Sequence, residues 1–259
     1  YDSMWMAALS PQGKDYNAIE QVFRIYSALR SLGLDVDIVS SDSLFENTPY
    51  QMVVLPAQWH VSANLQQQLQ HLASRNIPIV MAPRVASKTE NLSISEPLPP
   101  GPLTALAGVK VKRVSSLPPG ITVDISTASA SMHNHHQHQV TRWMEDIECL
   151  TAKPYWQSAK SKLVVAKNNT TYYVAAWLEQ ETWKTLFSEI THQYGIATQS
   201  LAEGLRLSRM SSQDGKQHFQ MLVNYSDQAQ LWQPEQEQAQ LLLGSAKVQA
   251  QQVAIWKVL

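Results

Sequence analysis

A chain of 259 residues with 44% hydrophobic content can bury a sizeable core and has room for one large or two modest domains. Its 20 basic and 21 acidic side chains leave a formal charge of −1, so there is no basic excess to neutralise phosphates and no electrostatic footprint of nucleic-acid binding. No apolar run approaches the roughly 20 residues that cross a bilayer. The single cysteine, Cys149, excludes an internal disulfide and fits a reducing, cytoplasmic setting.

The chain opens YDSMWMAAL, which has neither the charged head nor the cleavage site of a signal peptide and reads as the tail of a strand, so a preceding segment is expected. Ile19, Val22, Phe23, Tyr26, Leu29 and Leu32 then recur at steps of three and four and predict a helix with one buried stripe. Asn17 with Glu20 forms a capping-box pattern at its start, and Gly33 sits where it should stop. Val36, Ile38 and Val39, then Met52 to Leu55, read as buried strands either side of a loop, making a β-α-β unit. Ser62 caps a second helix carrying Leu65, Leu69 and Leu72, and Ile77 to Ala82 is the next strand. The alternation predicts an open, doubly wound parallel sheet with helices on both faces.

Residues 83–102 form a proline- and serine-rich loop far longer than the usual connection, which marks it as the most informative loop of the chain. Pro102 suits the first turn of a short helix, LTALAG, and Val109 to Val114 and Ile121 to Ile125 read as strands near a sheet edge. Ser126 to Val140 is polar, rich in His and without periodicity, so it should be loose. Asn168 and Asn169 sit at the turn of a hairpin. Trp183, Leu186, Phe187, Ile190 and Tyr194 mark a closing helix ended by Gly195. From Leu205 the period changes to two, which predicts a small antiparallel β-sandwich with a boundary near Ala197.

Several chemistries lack their parts. A hydrolase built on a strand-to-helix elbow needs a nucleophile after a buried strand, and neither Leu55-Pro56-Ala57-Gln58 nor Met81-Ala82-Pro83-Arg84 holds Cys or Ser. Cys149 follows Glu145, Asp146 and Glu148, whose charges would suppress its thiolate. Only 9 glycines are present, with no phosphate-binding glycine pattern, so no nucleotide or flavin cofactor is expected. Glu145, Asp146, Glu148, Glu179 and Glu181 read as a solvated face rather than a facing pair of catalytic acids. His133, His135, His136 and His138 lack a supporting shell, so no specific metal is expected. Trp5, Trp59 and His60 fall at strand C-terminal ends, where open α/β sheets present groups for recognition.

The segments ALRSLGLDVDIVSSD, YQMVVLPAQWHVS, IVMAPRVASKTE and LPPGPLTALAGVKV, in that order and spacing, resemble the non-catalytic trimerisation domain of family 42 glycoside hydrolases, the bacterial β-galactosidases. WLEQETWKTLFSEITHQYGI and EGLRLSRM resemble the end of that domain and the small β domain after it. The resemblance implies a flavodoxin- or class I glutamine-amidotransferase-like α/β domain over 1–196 and a β-sandwich over 197–259. It also implies that the catalytic glutamates lie in a (β/α)8 barrel outside this region. The partners it implies are two further copies, in a homotrimer, and that barrel. The loop from Arg84 to Asn91, with Lys88 and Glu90 as paired charge, is then expected to face a neighbouring subunit, together with Trp5, Trp59 and His60. The alternative is a stand-alone carbohydrate- or protein-binding module of the same fold without catalytic activity.

Overall fold

The computed structural model describes residues 16–45, 47–127, 138–235 and 238–258. Their contacts group them into two compact units, one taking in the chain up to Ile25 and Val39–Trp183, the other Tyr26–Ile38 and the chain from Lys184 onward.

Helix α1 spans Ala18–Ser31 and starts where expected, with Asn17 Oδ1 accepting the Glu20 amide at 3.1 Å. Gly33 follows it with φ +70°, a conformation open to glycine at little cost. The buried stripe is rotated from the expected one. Ala18, Gln21, Ile25, Ala28 and Leu29 are buried, whereas Ile19 and Phe23 are 57% and 65% exposed. The next expectation fails too. Among the described residues Val36 to Val39 form no strand, and Ile38 is 80% exposed.

Strand β1 (Val53–Leu55) leads through α2 (Ala63–Ser74) to β2 (Ile79–Met81). Ser62 caps α2, its side chain accepting the Leu65 amide at 3.2 Å. Leu65, Leu69 and Leu72 are buried as predicted. Gln68, buried beside them, accepts the Phe45 amide at 2.9 Å and donates to Ser43 O at 3.0 Å, fixing the loop before β1. A 3-10 turn (Gly101–Leu103) with Pro102 in it runs into α3 (Thr104–Ala107). Then come β3 (Val109–Ser116), β4 (Val123–Thr127), β5 (Gln139–Cys149), β6 (Lys153–Ser158), β7 (Leu163–Asn168), β8 (Thr171–Val174) and β9 (Ala176–Leu178).

These strands make one nine-stranded sheet in the order β1-β2-β8-β7-β6-β4-β5-β3, with β9 on β5. It is mixed rather than parallel throughout: only β1–β2 and β2–β8 run parallel. The physical reason lies in the connections. α2 gives a crossover between β1 and β2, while the turns joining β6, β7 and β8 are too short for anything but antiparallel pairing. The core against this sheet gathers Leu65, Leu69, Leu72, Ile79, Met81, Leu103, Val109 and Tyr173.

Helix α4 spans Gln180–Gln193. After it, β10 (Leu205–Ser211), β11 (His218–Asn224), β15 (Val253–Val258) and β13 (Ala239–Leu243) form a four-stranded antiparallel sheet in that order. β12 (Gln230–Leu231) and β14 (Lys247–Val248) pair separately. Leu205, Leu207, Leu222, Val248, Ala254 and Trp256 gather in the core of this unit. Period two holds along β10, β11 and β15, but only Leu205 and Leu207 point inward as their apolar spacing predicts. On β11 and β15 Leu222, Ala254 and Trp256 are buried in place of Phe219, Met221, Val223, Val253 and Ile255, and on β13 Leu241 and Leu243 are 42% and 52% exposed, because a strand apolar on both faces leaves packing to choose the side.

Candidate functional site

The long loop is anchored where β2 ends. Pro83 O accepts the Tyr16 hydroxyl at 3.1 Å, and Arg84 and Ala86 both take positive φ, +71° and +53°. Those two left-handed residues turn the chain so that its amides meet fixed acceptors. Arg84 N–H donates to Glu145 Oε1 at 2.9 Å, Ala86 N–H to Gln58 O at 2.8 Å and Lys88 N–H to Trp59 O at 2.9 Å. Beyond this root the loop forms a small finger. Lys88 and Ile94 pair across it, and the Thr89 amide donates to Ser93 O at 2.9 Å. Glu90 is exposed at its tip and Ile94 is 81% exposed.

Beneath the finger the Arg84 guanidinium lies 4.3 Å from the Trp59 ring, 4.8 Å from Tyr16 and 5.2 Å from Trp143. Three aromatic faces around one cation is a strong arrangement once water is excluded, and Arg84 is only 6% exposed. Tyr16 in turn meets Trp143 and Trp177 edge-on, each at 5.4 Å. Glu145 comes from β5, whose alternation puts Trp143, Glu145 and Ile147 on the buried face and Asp146 and Glu148 on the exposed one. Its carboxylate accepts the Tyr173 hydroxyl at 2.6 Å, the Arg84 amide and, at a long 3.4 Å, the Trp143 indole N–H. Burial pushes the Glu145 carboxyl up, opposed by those three donors and the Arg84 charge. Burial also raises the Tyr16 and Tyr173 hydroxyls and lowers Arg84. Both carboxylate oxygens are engaged by the protein's own donors, so the arrangement holds a loop in place and presents no acid to a substrate.

A second network lies alongside. Glu20 binds Arg24 at 2.8 Å and Arg142 at 2.6 Å, Arg24 reaches Glu179, and Thr141 donates to Glu179 at 2.8 Å. The Arg142 and Arg24 guanidinium groups lie 5.0 and 5.9 Å from the Trp177 ring. Burial pushes Glu20 up, but its hydrogen bonds and charge contacts with Arg142 and Arg24 outweigh it and leave the carboxyl below the usual range.

Residues 1–197 match the family model described as the β-galactosidase trimerisation domain. The chain belongs to that family. A β-galactosidase of Thermus thermophilus is 33% identical over 257 residues, covering 99% of this chain and 37% of that protein. The β-galactosidase BgaA of a Thermus species is 30% identical over the same length, again across 37% of its sequence. The crystal structure of the β-galactosidase from the psychrophilic Marinomonas ef1 superimposes on the whole chain with TM-score 0.84 at 30% identity, matching 36% of its own length. That from Bacillus circulans sp. alkalophilus shares the fold with TM-score 0.87 at 16% identity. The chain thus spans little more than a third of the relatives it matches.

Within this trimerisation domain the residues singled out from sequence are placed as follows. Trp59 and Arg84 come together, both buried. His60 is half-buried beside them, its carbonyl accepting the Gln58 side chain at 2.6 Å. Lys88 is tied by its backbone to Trp59, and Glu90 stands at the exposed tip. Trp5 and the histidines 133, 135 and 136 lie outside the described residues. His138 is described, with Nδ1 3.2 Å from Thr182 Oγ1. Two expectations need correction. Arg84 is not presented outward: its guanidinium is enclosed by its own unit. Glu145 is no solvated acid: it is 2% exposed, because it shares the strand face of Trp143 and Ile147. Cys149 is raised above its ordinary thiol value, by burial rather than by its neighbours' charge. Sequence reasoning missed Glu145, Tyr16, Trp143 and Tyr173. The signal available was the register of Glu145 with two large apolar residues at steps of two.

Proposed function

We propose that this chain is the non-catalytic assembly region of a family 42 β-galactosidase. Residues 1–196 serve as the trimerisation domain, an amidotransferase-like scaffold without its nucleophile, and residues 197–259 as a small β-sandwich domain. Hydrolysis of terminal non-reducing β-D-galactosides belongs to a barrel in the remaining length of such an enzyme, and the working form is a cytoplasmic homotrimer. The observation that carries this reading is the match of the trimerisation model over residues 1–197, within relatives whose names are β-galactosidases throughout. The engagement of Glu145 by three internal donors supports it, since a glycosidase needs two carboxyl groups free to face a sugar.

In this reading the finger carrying Lys88 and Glu90 faces a neighbouring subunit, and Trp59, His60 and Arg84 hold its root. Light scattering of the complete gene product should give three times the protomer mass, and Glu90→Arg combined with Ile94→Asp should shift it towards protomers on dilution. A full-length protein that is monomeric at every concentration overturns the assembly role. The 259-residue chain by itself should not turn over a chromogenic galactoside. Turnover abolished by a substitution within it would show that the chemistry is here after all.

A further inference from the structure

The outer face of the four-stranded sheet is apolar where a solvated face would be polar. On β11 and β15 the inward positions Leu222, Ala254 and Trp256 are buried, and the alternate positions Met221, Val223, Val253 and Ile255 are half-buried. The antiparallel register lines the alternate positions up in rows. Met221 stands opposite Ile255, which stands opposite Leu243 of β13, and Val223 stands opposite Val253. Two residues along from Met221, Phe219 faces the same way opposite Met210. Leu243 and Met210, on the two edge strands, are 52% and 42% exposed. An antiparallel sheet with one face in water alternates apolar and polar residues, so a sheet apolar on both faces is suited to being covered on both.

Polar residues frame this patch. On the same face Arg206 lies beside Val223 and Lys257 beside Phe219, at opposite corners, with Ser208 beside Met221 and Gln240 beside Lys257. Neither Arg206 nor Lys257 has a carboxylate partner among the described residues. An apolar centre with a polar rim is the anatomy of a protein interface, and two cations on the rim favour a partner with carboxylates facing them. Size decides which partner. With strands about 4.8 Å apart and residues about 3.3 Å apart along them, the patch over residues 219–223 and their neighbours is roughly 300 Å². A free protein needs about 800 Å² on each side. Contacts between domains of one chain start at about 600 Å² in total, because a tether keeps the two surfaces at high effective concentration. The relatives carry nearly two thirds of their length outside the matched region. The trimerisation match stops at residue 197, before this sheet begins, which also speaks against a second copy as the occupant.

We infer that the Met221–Ile255 face is an intramolecular docking surface, covered by the remaining length of the same polypeptide through an apolar surface bordered by carboxylates. The inference rests on the assembly reading, in which this chain is part of a longer enzyme. The experiment places a thiol on the face with Met221→Cys and follows its alkylation by iodoacetamide with peptide mass spectrometry, in the complete gene product and in the 259-residue chain. The thiol should react at least about tenfold more slowly in the complete product, the ratio for a contact open less than one-tenth of the time, and dilution should leave that ratio unchanged. Lys216→Cys, at the exposed hairpin turn, should react equally in both proteins. Ile255→Glu should lower the thermal midpoint of the complete product further than that of the 259-residue chain, since only the former would bury the new charge. Equal alkylation of Met221→Cys in both proteins overturns this inference alone, because the trimer mass is read separately. Protection that grows with concentration in the 259-residue chain, or that the complete product loses on dilution, assigns the face to a second copy and overturns it too. A gene that encodes no further chain overturns the assembly reading and this inference with it.

Discussion

Removing the Arg84 side chain should destabilise the protein far more than a surface arginine would. Arg84→Ala removes three ring contacts, each contributing about 0.5–2 kcal/mol when desolvated. Together the three contacts sum to about 1.5–6 kcal/mol, a large part of the roughly 5–15 kcal/mol that holds a domain together. Arg84→Lys should lie between the two, because an ammonium keeps the charge but cannot cover three rings at 4.3, 4.8 and 5.2 Å. Arg84→Gly supplies the internal control. It loses the same guanidinium, yet the residue sits at φ +71°, where glycine is less strained than alanine by about 1 kcal/mol. Glycine should therefore cost less than alanine. Urea unfolding followed by tryptophan fluorescence reads all three, since Trp59 and Trp143 line the cation, and the midpoint should fall by about 1–2 M for alanine. A loss below about 1 kcal/mol, or glycine costing more than alanine, would refute a guanidinium clamp on a left-handed turn.

Glu145 should leave a signature in pH. Burial raises its pKa in the folded state above the ordinary 4.5, so the folded protein holds that proton more tightly than the unfolded chain. Its contribution is then complete below the ordinary value and declines as pH rises through the folded one. Glu145→Gln should flatten the stability curve over that interval; a variant with the wild-type slope would assign the slope elsewhere. Gly108, at φ +68°, has Thr151 Oγ1, Ala152 N and Asn168 Cγ within 2.6–2.7 Å of where a Cβ would stand. Gly108→Ala should cost about 2–3 kcal/mol in the same urea assay, and an unchanged midpoint would mean the turn before β3 relaxes freely.

What the sequence determined was local. The cap at Asn17, the stop at Gly33, the Ser62 cap with its leucines and the hairpin at Asn168–Asn169 each rest on a few neighbouring residues, and the structure has them where periodicity put them. So did the change to period two after Leu205. Order and spacing of short segments also carried the family, because that signal needs no contacts. What only the tertiary structure decided was which faces meet. The helix stripe from Ile19 to Leu32 was long enough to allow two buried faces, and packing chose the one through Gln21, Ile25 and Ala28. Val36 to Val39 have strand propensity, but among the described residues they form no strand, since that propensity is realised only where packing offers a pleated, half-buried surface. The Arg84 clamp was hidden for the same reason. Its parts come from residues 16, 59, 84, 143, 145 and 173, separated by up to 157 positions, and a charged residue's environment is set by what folds over it, which no window of sequence contains.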